Sequence, residues 1–312
     1  MPIRKQGNTG FLPLPGWDPA NDWQGFHPVH DLPRVLNPEE GFVVTANEDL
    51  NHLGNVSPIN VAMGPYRSNR IKELIKAKRH LEIQDFKDMH YDLYSLQAEK
   101  FMEIIRPLLP DTEAGKILAD WDLKYSPDSK GASTFEMVYR SLYFEVFGQA
   151  MHIELEDFLE GNTGLFIDFY DNFDGVLLAE ESKWFGERSR EEIYRAAIAT
   201  GLSYPVQTWG EVNNIMLSHI LLGGQMPSFL KFDRGPFPLP GGRSTIHQGQ
   251  SFEAAGRATS FAPSYRLITD MGEHVVHTNF PGGATDRRFS KYYNSDWENW
   301  QKGRYRVTKY EG

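Results

Sequence analysis

The 312-residue sequence contains no cysteine, and this absence excludes disulfides, cysteine-based metal sites and a cysteine nucleophile. It also lacks any apolar run near the ~18 residues that a membrane-spanning helix needs, so we expect no membrane span. Basic residues are outnumbered: 32 Lys and Arg stand against 42 Asp and Glu, and the net charge is −10. A nucleic-acid-binding surface normally carries a basic patch, so this charge argues against nucleic acid as a partner.

The residues that are present indicate a globular chain with an aromatic-rich core, since 40% are hydrophobic and 13% aromatic. Residues 1–64 are dense in Gly, Pro, Asn and Asp, and they predict an ordered irregular segment with a short strand at Gly41–Asn47. Residues 65–224 are predicted to be mostly helical. Residues 225–312 predict a Pro- and Gly-rich loop, then strands and a docked aromatic tail. Strands on both sides of a helical middle favour an α+β fold.

The predicted helices depend on apolar residues at helical spacing. A capping-box pattern at Ser189–Glu192 is expected to begin one helix. The apolar stripes are Ile71, Leu74 and Ile75; Phe101, Ile104 and Ile105, ended by Pro107; and Phe135, Val138, Leu142 and Val146. The strands are expected within SYRLITDM (264–271) and HVVHTNF (274–280).

Several motifs suggest a metal or phosphate site and fail on spacing. The glycines of Gly241–Thr245 lack the spacing of a P-loop, so this segment is interpreted as a plain loop. His274 and His277 are three residues apart in a predicted strand, which places their side chains on opposite faces. His27 and His30 lack a third ligand. The sequence contains no G-x-S-x-G and no H-E-x-x-H motif.

Other chemical groups also have a simple structural interpretation. Asp168, Asp171 and Asp174 recur at every third position, and we expect them on a solvated face rather than in acid–base catalysis. Removal of Met1 would expose the secondary amine of Pro2, but the chain is far longer than the small tautomerases that use such a base. Seven tryptophans would suit a sugar-binding module, and this hypothesis depends on composition alone.

A series of short motifs runs in a fixed order along nearly the whole chain and resembles the penicillin acylase family, in particular the C-terminal part of its catalytic β chain. The first half contributes LPLPGW (12–17), DWQG (22–25), PRVLNPEEGFVVTAN (33–47), RSNRI (67–71) and Trp121-Asp122. The second half contributes PGG (240–242), SYR (264–266) with Asp270, PGG (281–283), Ser290, Tyr292-Tyr293, Trp300 and Gly303.

This resemblance implies an N-terminal-nucleophile hydrolase with a four-layer αββα sandwich and a helical middle region. Its substrates would be linear N-acyl amides such as penicillins, cephalosporins or acyl-homoserine lactones. In such enzymes the N-terminal Ser of the β chain attacks the amide, and its own α-amino group is the base. A backbone N–H and the side-chain amide of the TAN motif stabilise the oxyanion; the second position is Asn47 here. Arg70 matches a positioning arginine near the active site, with Arg67 as the alternative within RSNR.

Two positions and one segment depart from the family pattern. Glu48 stands where the family often has Asn, and alternation along a strand would point its carboxylate away from the oxyanion. The family needs no cofactor but often holds a structural Ca²⁺; Asn60 falls near one ligand position usually filled by Asp, and a neutral ligand would weaken that site. Gly283–Arg288 replaces the QSG and small residues of the family's ending.

The resemblance places the family's nucleophile upstream of the segment that matches residue 1, and neither Met1 nor Pro2 carries a hydroxyl or thiol. We therefore expect this chain to be inactive alone and to pair with the α chain and the N-terminal part of the β chain of the same precursor. The first ten residues have no apolar signal region, so the family's periplasmic or extracellular location would require a signal further upstream. The alternative is a non-catalytic remnant or interaction protein from a truncated gene.

Overall fold

The computed structural model describes residues 1–8, 10, 13–59, 62–152, 154, 171–249 and 261–310. Within 13–59 the chain is irregular, with short 3₁₀ turns at Pro19–Asn21, Val29–Asp31 and Asn51–Leu53. The strand predicted at Gly41–Asn47 does not form. A strand needs a neighbouring backbone for its ladder, and within the described residues nothing pairs with 42–46.

The helices occupy the middle of the chain, as the apolar spacing predicts. The main ones are α1 Tyr66–Lys76, α2 Ile83–Met89, α3 Leu96–Ile105, α4 Glu113–Ala119, α5 Lys130–Tyr143, α6 Asp171–Leu178, α7 Arg190–Gly201 and α8 Trp209–Val212, with α9 Trp297–Gln301 in the tail. Further 3₁₀ turns lie at Arg106–Leu108, Lys183–Phe185 and Ser228–Leu230, and a π turn at Phe144–Gly148 extends α5.

Local sequence explains where these helices begin and end. Ser189 caps α7 by accepting a hydrogen bond from the backbone N–H of Glu192, whose side chain returns to the Ser189 N–H. This is the predicted capping box. Ser129 caps α5 in a similar way. Pro107 ends α3 because it cannot donate the next backbone hydrogen bond.

The main hydrophobic core lies between α3, α4, α5 and α7. Both α5 and α3 bury large side chains, among them Phe135, Tyr139 and Phe101. The packing of α7 on α5 is close: a Cβ at Gly201 would lie 2.6 Å from the Cα of Val138. Because backbone atoms occupy that space, this position requires glycine.

Two small antiparallel sheets flank the helices in the described part of the chain. In the first sheet, strand β1 (Asn214–Leu217) pairs with β2 (Arg234–Pro238). The second sheet has the strand order β3 (Arg266–Asp270), β4 (Val275–Asn279) and β5 (Arg306–Lys309), with β4 in the middle. Strands β3 and β4 lie where the sequence predicts them. The interpretation of 65–224 as mostly helical misses β1, and the loop predicted after residue 225 contains β2. These two strands form because they pair with each other, which neither segment indicates alone.

The tail packs back onto the body of the protein. Trp297 and Trp300 are buried with Ile215 and Leu239, and the indole N–H of Trp300 donates to the Pro263 carbonyl at 2.8 Å. Together the helices and sheets confirm the α+β class. The four-layer sandwich and the division of the chain at 64 and 224 stay predictions. None of the helices in the described residues is both long and apolar enough to cross a membrane.

One acidic residue that the sequence analysis placed on a solvated face lies in the interior, and parts of the loop 241–249 are buried as well. Asp174 is only 4% exposed, so the solvated face predicted for it is wrong; Asp168 and the side chain of Asp171 lie outside the described residues. Residues 241–249 form a loop, as predicted, and Arg243, Thr245 and several of their neighbours are buried. Distant donors satisfy the Asp174 carboxylate, whereas Thr245 and Gln248 donate to carbonyl groups within the loop itself.

Candidate functional site

The backbone reverses sharply at Asn47. This residue has a φ of 71°, in the left-handed region that Asn tolerates better than most residues. Its carbonyl accepts a hydrogen bond from the Met63 N–H at 2.8 Å. The Ala46 N–H donates to the Glu48 carboxylate at 2.6 Å, which closes the turn. The result is a fixed turn that leaves the Asn47 side chain exposed and buries Glu48.

Arg67 holds the Asn47 amide from the first turn of α1. One guanidinium nitrogen, Nη2, donates to Asn47 Oδ1 and to the Ala46 carbonyl, both at 2.7 Å, and it contacts Met63 Sδ at 3.2 Å. Burial lowers the pKa of Arg67, and the nearby charge of Glu48 opposes that change. Because a guanidinium has only donors, the amide oxygen must face it. The Asn47 NH₂ group is therefore turned away from Arg67 and can donate to another group.

Arg70 points to different partners. It donates to both carboxylate oxygens of Asp92, at 3.1 and 3.0 Å, and more weakly to Glu73 at 3.4 Å. Its guanidinium lies 4.7 Å from the centre of the Tyr94 ring. The hydrogen bond to Asp92 is the main cause that raises the pKa of Arg70. This arrangement joins α1 to the segment before α3, so of the two candidate arginines it is Arg67 that contacts Asn47.

Glu48 does not follow the expected strand alternation. Its side chain folds back to the Ala46 N–H instead of continuing along a pleat, because the left-handed backbone of Asn47 interrupts the extended conformation. Within the described residues its second oxygen, Oε1, is buried without a hydrogen-bond partner. The carboxylate is thus held behind the turn, while the amide of Asn47 lies on the exposed side.

A pocket of about 410 Å³ lies beside the turn. Its wall combines apolar side chains with carboxylates, a mixture typical of small-molecule sites. Phe42, Val44, Glu48, Asp49, Leu50 and Met63 are among the residues that line it. Asn47 itself does not line this pocket, which lies on the side of the turn that carries Glu48.

The possible metal ligands do not assemble within the described residues, where no group of three or more His, Asp or Glu is arranged to hold an ion. Asn60 lies outside those residues, so the Ca²⁺ site stays a prediction. His274 lies in the turn before β4, where its ring packs on Tyr310 at 5.4 Å, and His277 lies within β4. Pro2 forms an isolated backbone bridge with Phe26.

The penicillin amidase family model matches residues 1–311, and the chain belongs to this family. Over 150 residues it is 31% identical to the penicillin acylase 2 proenzyme of a Pseudomonas species, covering 46% of this chain and 19% of that protein.

Acyl-homoserine lactone acylases match along more of the chain. The QuiP enzyme of Pseudomonas aeruginosa is 26% identical over 362 residues, which cover 97% of this chain and 41% of the enzyme. The QuiP enzyme of Pseudomonas syringae pv. syringae is 24% identical over 347 residues, covering 98% of this chain and 41% of the enzyme. The chain thus spans 41% or less of the length of these curated relatives.

Proposed function

We propose that this chain is part of an acylase that hydrolyses linear N-acyl amides, with penicillins, cephalosporins and acyl-homoserine lactones as the candidate substrate classes. The observation that carries the proposal is the Asn47 side chain, which is exposed while Arg67 holds its Oδ1 at 2.7 Å. Among the described residues the NH₂ group has no hydrogen-bond partner, and it is the kind of neutral donor that an amide oxyanion requires. Asn47 is the oxyanion donor in this proposal, and Arg67 rather than Arg70 is the residue that positions it.

The reaction needs a nucleophile and a base in addition to this donor. In the proposed enzyme a serine at the start of the β chain, upstream of the segment that matches this chain, supplies both. The chain is therefore inactive alone and gains activity with the α chain and the N-terminal part of the β chain. Together these parts form the four-layer αββα sandwich, without any required cofactor. An upstream signal would direct the enzyme to the periplasm or the exterior.

The surface of residues 13–59 supports a protein partner. Trp17 is 87% exposed, and Trp23, Phe26, Val29 and Leu36 are also largely exposed. Trp23 and Phe26 pack edge to face, with ring centroids 5.9 Å apart. Exposed apolar side chains that lie together mark an interaction site, and in this proposal a protein partner covers them.

The same surface favours the second candidate function, a non-catalytic remnant or interaction protein that binds a partner through residues 13–59. The two functions differ in what Asn47 does. In the acylase its amide contributes to chemistry, whereas in an interaction protein it only closes a turn. An in-frame serine preceded by a small residue, upstream of this segment in the gene, would favour the acylase.

The test replaces Asn47 by Ala in the complete enzyme, in which this chain is joined to its upstream part, with a chromogenic acyl-amide as substrate. We expect kcat to fall by about 10²–10³, as for the loss of one oxyanion donor. KM should change little because the interaction forms mainly in the transition state. The free energy of unfolding should fall by about 1–3 kcal/mol, because Ala is strained at the left-handed backbone of residue 47 and one hydrogen bond to Arg67 is lost.

Asn37→Ala is the matched control. Asn37 is also exposed and also has a left-handed backbone, with a φ of 48°. Replacement by Ala strains that backbone and should lower stability while leaving kcat within about 2-fold, because ordinary surface changes leave transition-state contacts intact. An unchanged kcat in Asn47→Ala, or equal losses of kcat in both variants, would show that Asn47 is structural and would favour the interaction protein.

A further inference from the structure

A buried carboxylate joins α1 to the rest of the helical core. Asp174, on α6, accepts hydrogen bonds from the Tyr66 hydroxyl at 2.8 Å, from Gln97 Nε2 at 2.6 Å and from the hydroxyls of Tyr139 and Tyr143. An ionised carboxylate only accepts hydrogen bonds, so it can satisfy all these donors at once. We call these five residues the Asp174 cluster. Its donors come from α1, α3 and α5.

Tyr66 is the first residue of α1 and directly precedes Arg67. The first turn of a helix leaves backbone N–H groups without intrahelical partners, and it frays unless something fixes it. Pro65, the residue before the helix, provides no side-chain cap. The Tyr66 hydroxyl ties this turn to the helical core, because its partner lies 108 positions along the chain.

Adjacent helix positions are turned by about 100°, so Tyr66 and Arg67 face different ways from the same turn. Tyr66 is buried and reaches into the core toward Asp174. Arg67 reaches the other way, to Ala46 and Asn47. A shift of the first turn of α1 would therefore move both contacts together.

We propose that Asp174 and Tyr66 are positioning residues, which fix the first turn of α1 so that Arg67 presents the Asn47 amide in one orientation. This rests on the proposed function of Asn47 for its catalytic meaning, but the mechanical coupling can be measured without any activity. The contacts form one continuous path from Asp174 through Tyr66 and Arg67 to Asn47. Burial raises the pKa of Asp174, and the hydrogen bonds from its cluster oppose that change.

The experiment compares two Tyr→Phe variants of the 312-residue chain. Tyr66→Phe removes the hydroxyl that binds Asp174. Tyr125→Phe is the matched control: Tyr125 is also buried, and its hydroxyl donates to another buried carboxylate, Glu136, at 2.7 Å, but it lies outside α1. The chain is labelled with ¹⁵N-asparagine, and the side-chain NH₂ signal of Asn47 is assigned by its loss in the Asn47→Ala chain.

We expect Tyr66→Phe to shift or broaden the Asn47 NH₂ signal, and we expect Tyr125→Phe to leave it at the wild-type position even if both variants melt at a lower temperature. In the complete enzyme, Tyr66→Phe should lower kcat about 10-fold with KM unchanged, since positioning acts on the transition state. Tyr125→Phe should leave kcat within about 2-fold.

The outcomes separate the two proposals. An unmoved Asn47 signal in Tyr66→Phe, or an equal movement in Tyr125→Phe, would overturn the coupling. A signal that moves only in Tyr66→Phe supports the coupling. A fall in kcat in the same variant supports the proposal that this coupling contributes to catalysis. If that signal moves but kcat in Asn47→Ala is unchanged, the coupling stands and the proposed function of Asn47 fails.

Discussion

The loop 241–249 enters the helical core through a buried ion pair, and removal of its cation should be costly. Arg243 and Glu136 are 6% and 8% exposed, and the Arg243 guanidinium donates to Glu136 Oε2. The same guanidinium lies 4.2 Å from the centre of the Tyr139 ring, and the Tyr125 hydroxyl donates to the other oxygen of Glu136 at 2.7 Å. Arg243→Met keeps an apolar chain of similar reach but leaves Glu136 as a buried charge with one neutral donor.

Loss of one partner from a buried pair typically costs about 3–5 kcal/mol, because the other charge stays buried without compensation. We expect Arg243→Met to lower the free energy of unfolding by about 3 kcal/mol, near the lower end of this range, since Tyr125 still donates to Glu136. The double variant Glu136→Gln with Arg243→Met removes the remaining charge. It should recover about 2 kcal/mol of that loss, which makes the two changes strongly non-additive.

Urea unfolding of the chain at pH 7, followed by tryptophan fluorescence and circular dichroism, measures these differences. Arg195→Met is the control, because Arg195 pairs with Glu191 at 2.8 Å but the two side chains are 56% and 61% exposed. An exposed pair of this kind should contribute no more than about 0.5 kcal/mol. A loss below about 1 kcal/mol in Arg243→Met, or a double variant no more stable than the single one, would refute the reasoning.

The remaining predictions concern the candidate site and the pH dependence of the protein's stability. In the complete enzyme, Arg67→Met should lower kcat about 10-fold or more, because the Asn47 amide loses the group that holds it. Arg70→Met should mainly lower the melting temperature. Steady-state kinetics and thermal melts of the two variants measure these effects. Burial lowers the pKa of His247 to about 3, so its contribution to stability is present above the unfolded pKa near 6.5 and is lost as pH falls toward 3. That loss should reach about 2 kcal/mol at pH 5, and the raised pKa of Asp174 acts in the opposite sense. Urea unfolding at several pH values should show a flatter slope in His247→Gln; an unchanged slope would assign the effect to other groups.

The sequence predicts the helices well because helical periodicity is a local property. The apolar stripes fall within α1, α3 and α5, except that Val146 lies in the π turn that extends α5, and the capping box at Ser189 begins α7 where expected. Strands β1 and β2 escaped prediction because their stability comes from pairing across about 20 residues, and RGPFP in β2 shows no apolar alternation. The strand predicted at Gly41–Asn47 does not form for the same reason. An extended apolar run becomes a strand only where it pairs with another backbone.

The candidate site was predictable in its residue types but not in its contacts. The resemblance leads to Asn47 and to Arg70 as its positioning residue, with Arg67 as the alternative because a small shift of the alignment within RSNR exchanges the two. Only the structure shows that the first reaches Asn47 Oδ1 and the second reaches Asp92. The burial of Asp174 could not be predicted either, because its donors lie on helices far apart in the sequence.

The Asn47 turn is supported by the helical core. Arg67 and α1 connect it to that core through Tyr66 and Asp174. Elsewhere in residues 13–59, Trp17, Trp23 and Phe26 are exposed. Exposed apolar side chains mark an interaction site, and a donor that acts only after a partner binds must keep its direction before binding. Binding of an upstream part should therefore protect Trp17 and its neighbours from solvent without moving the Asn47 amide, and tryptophan fluorescence together with the Asn47 NMR signal can separate the two effects.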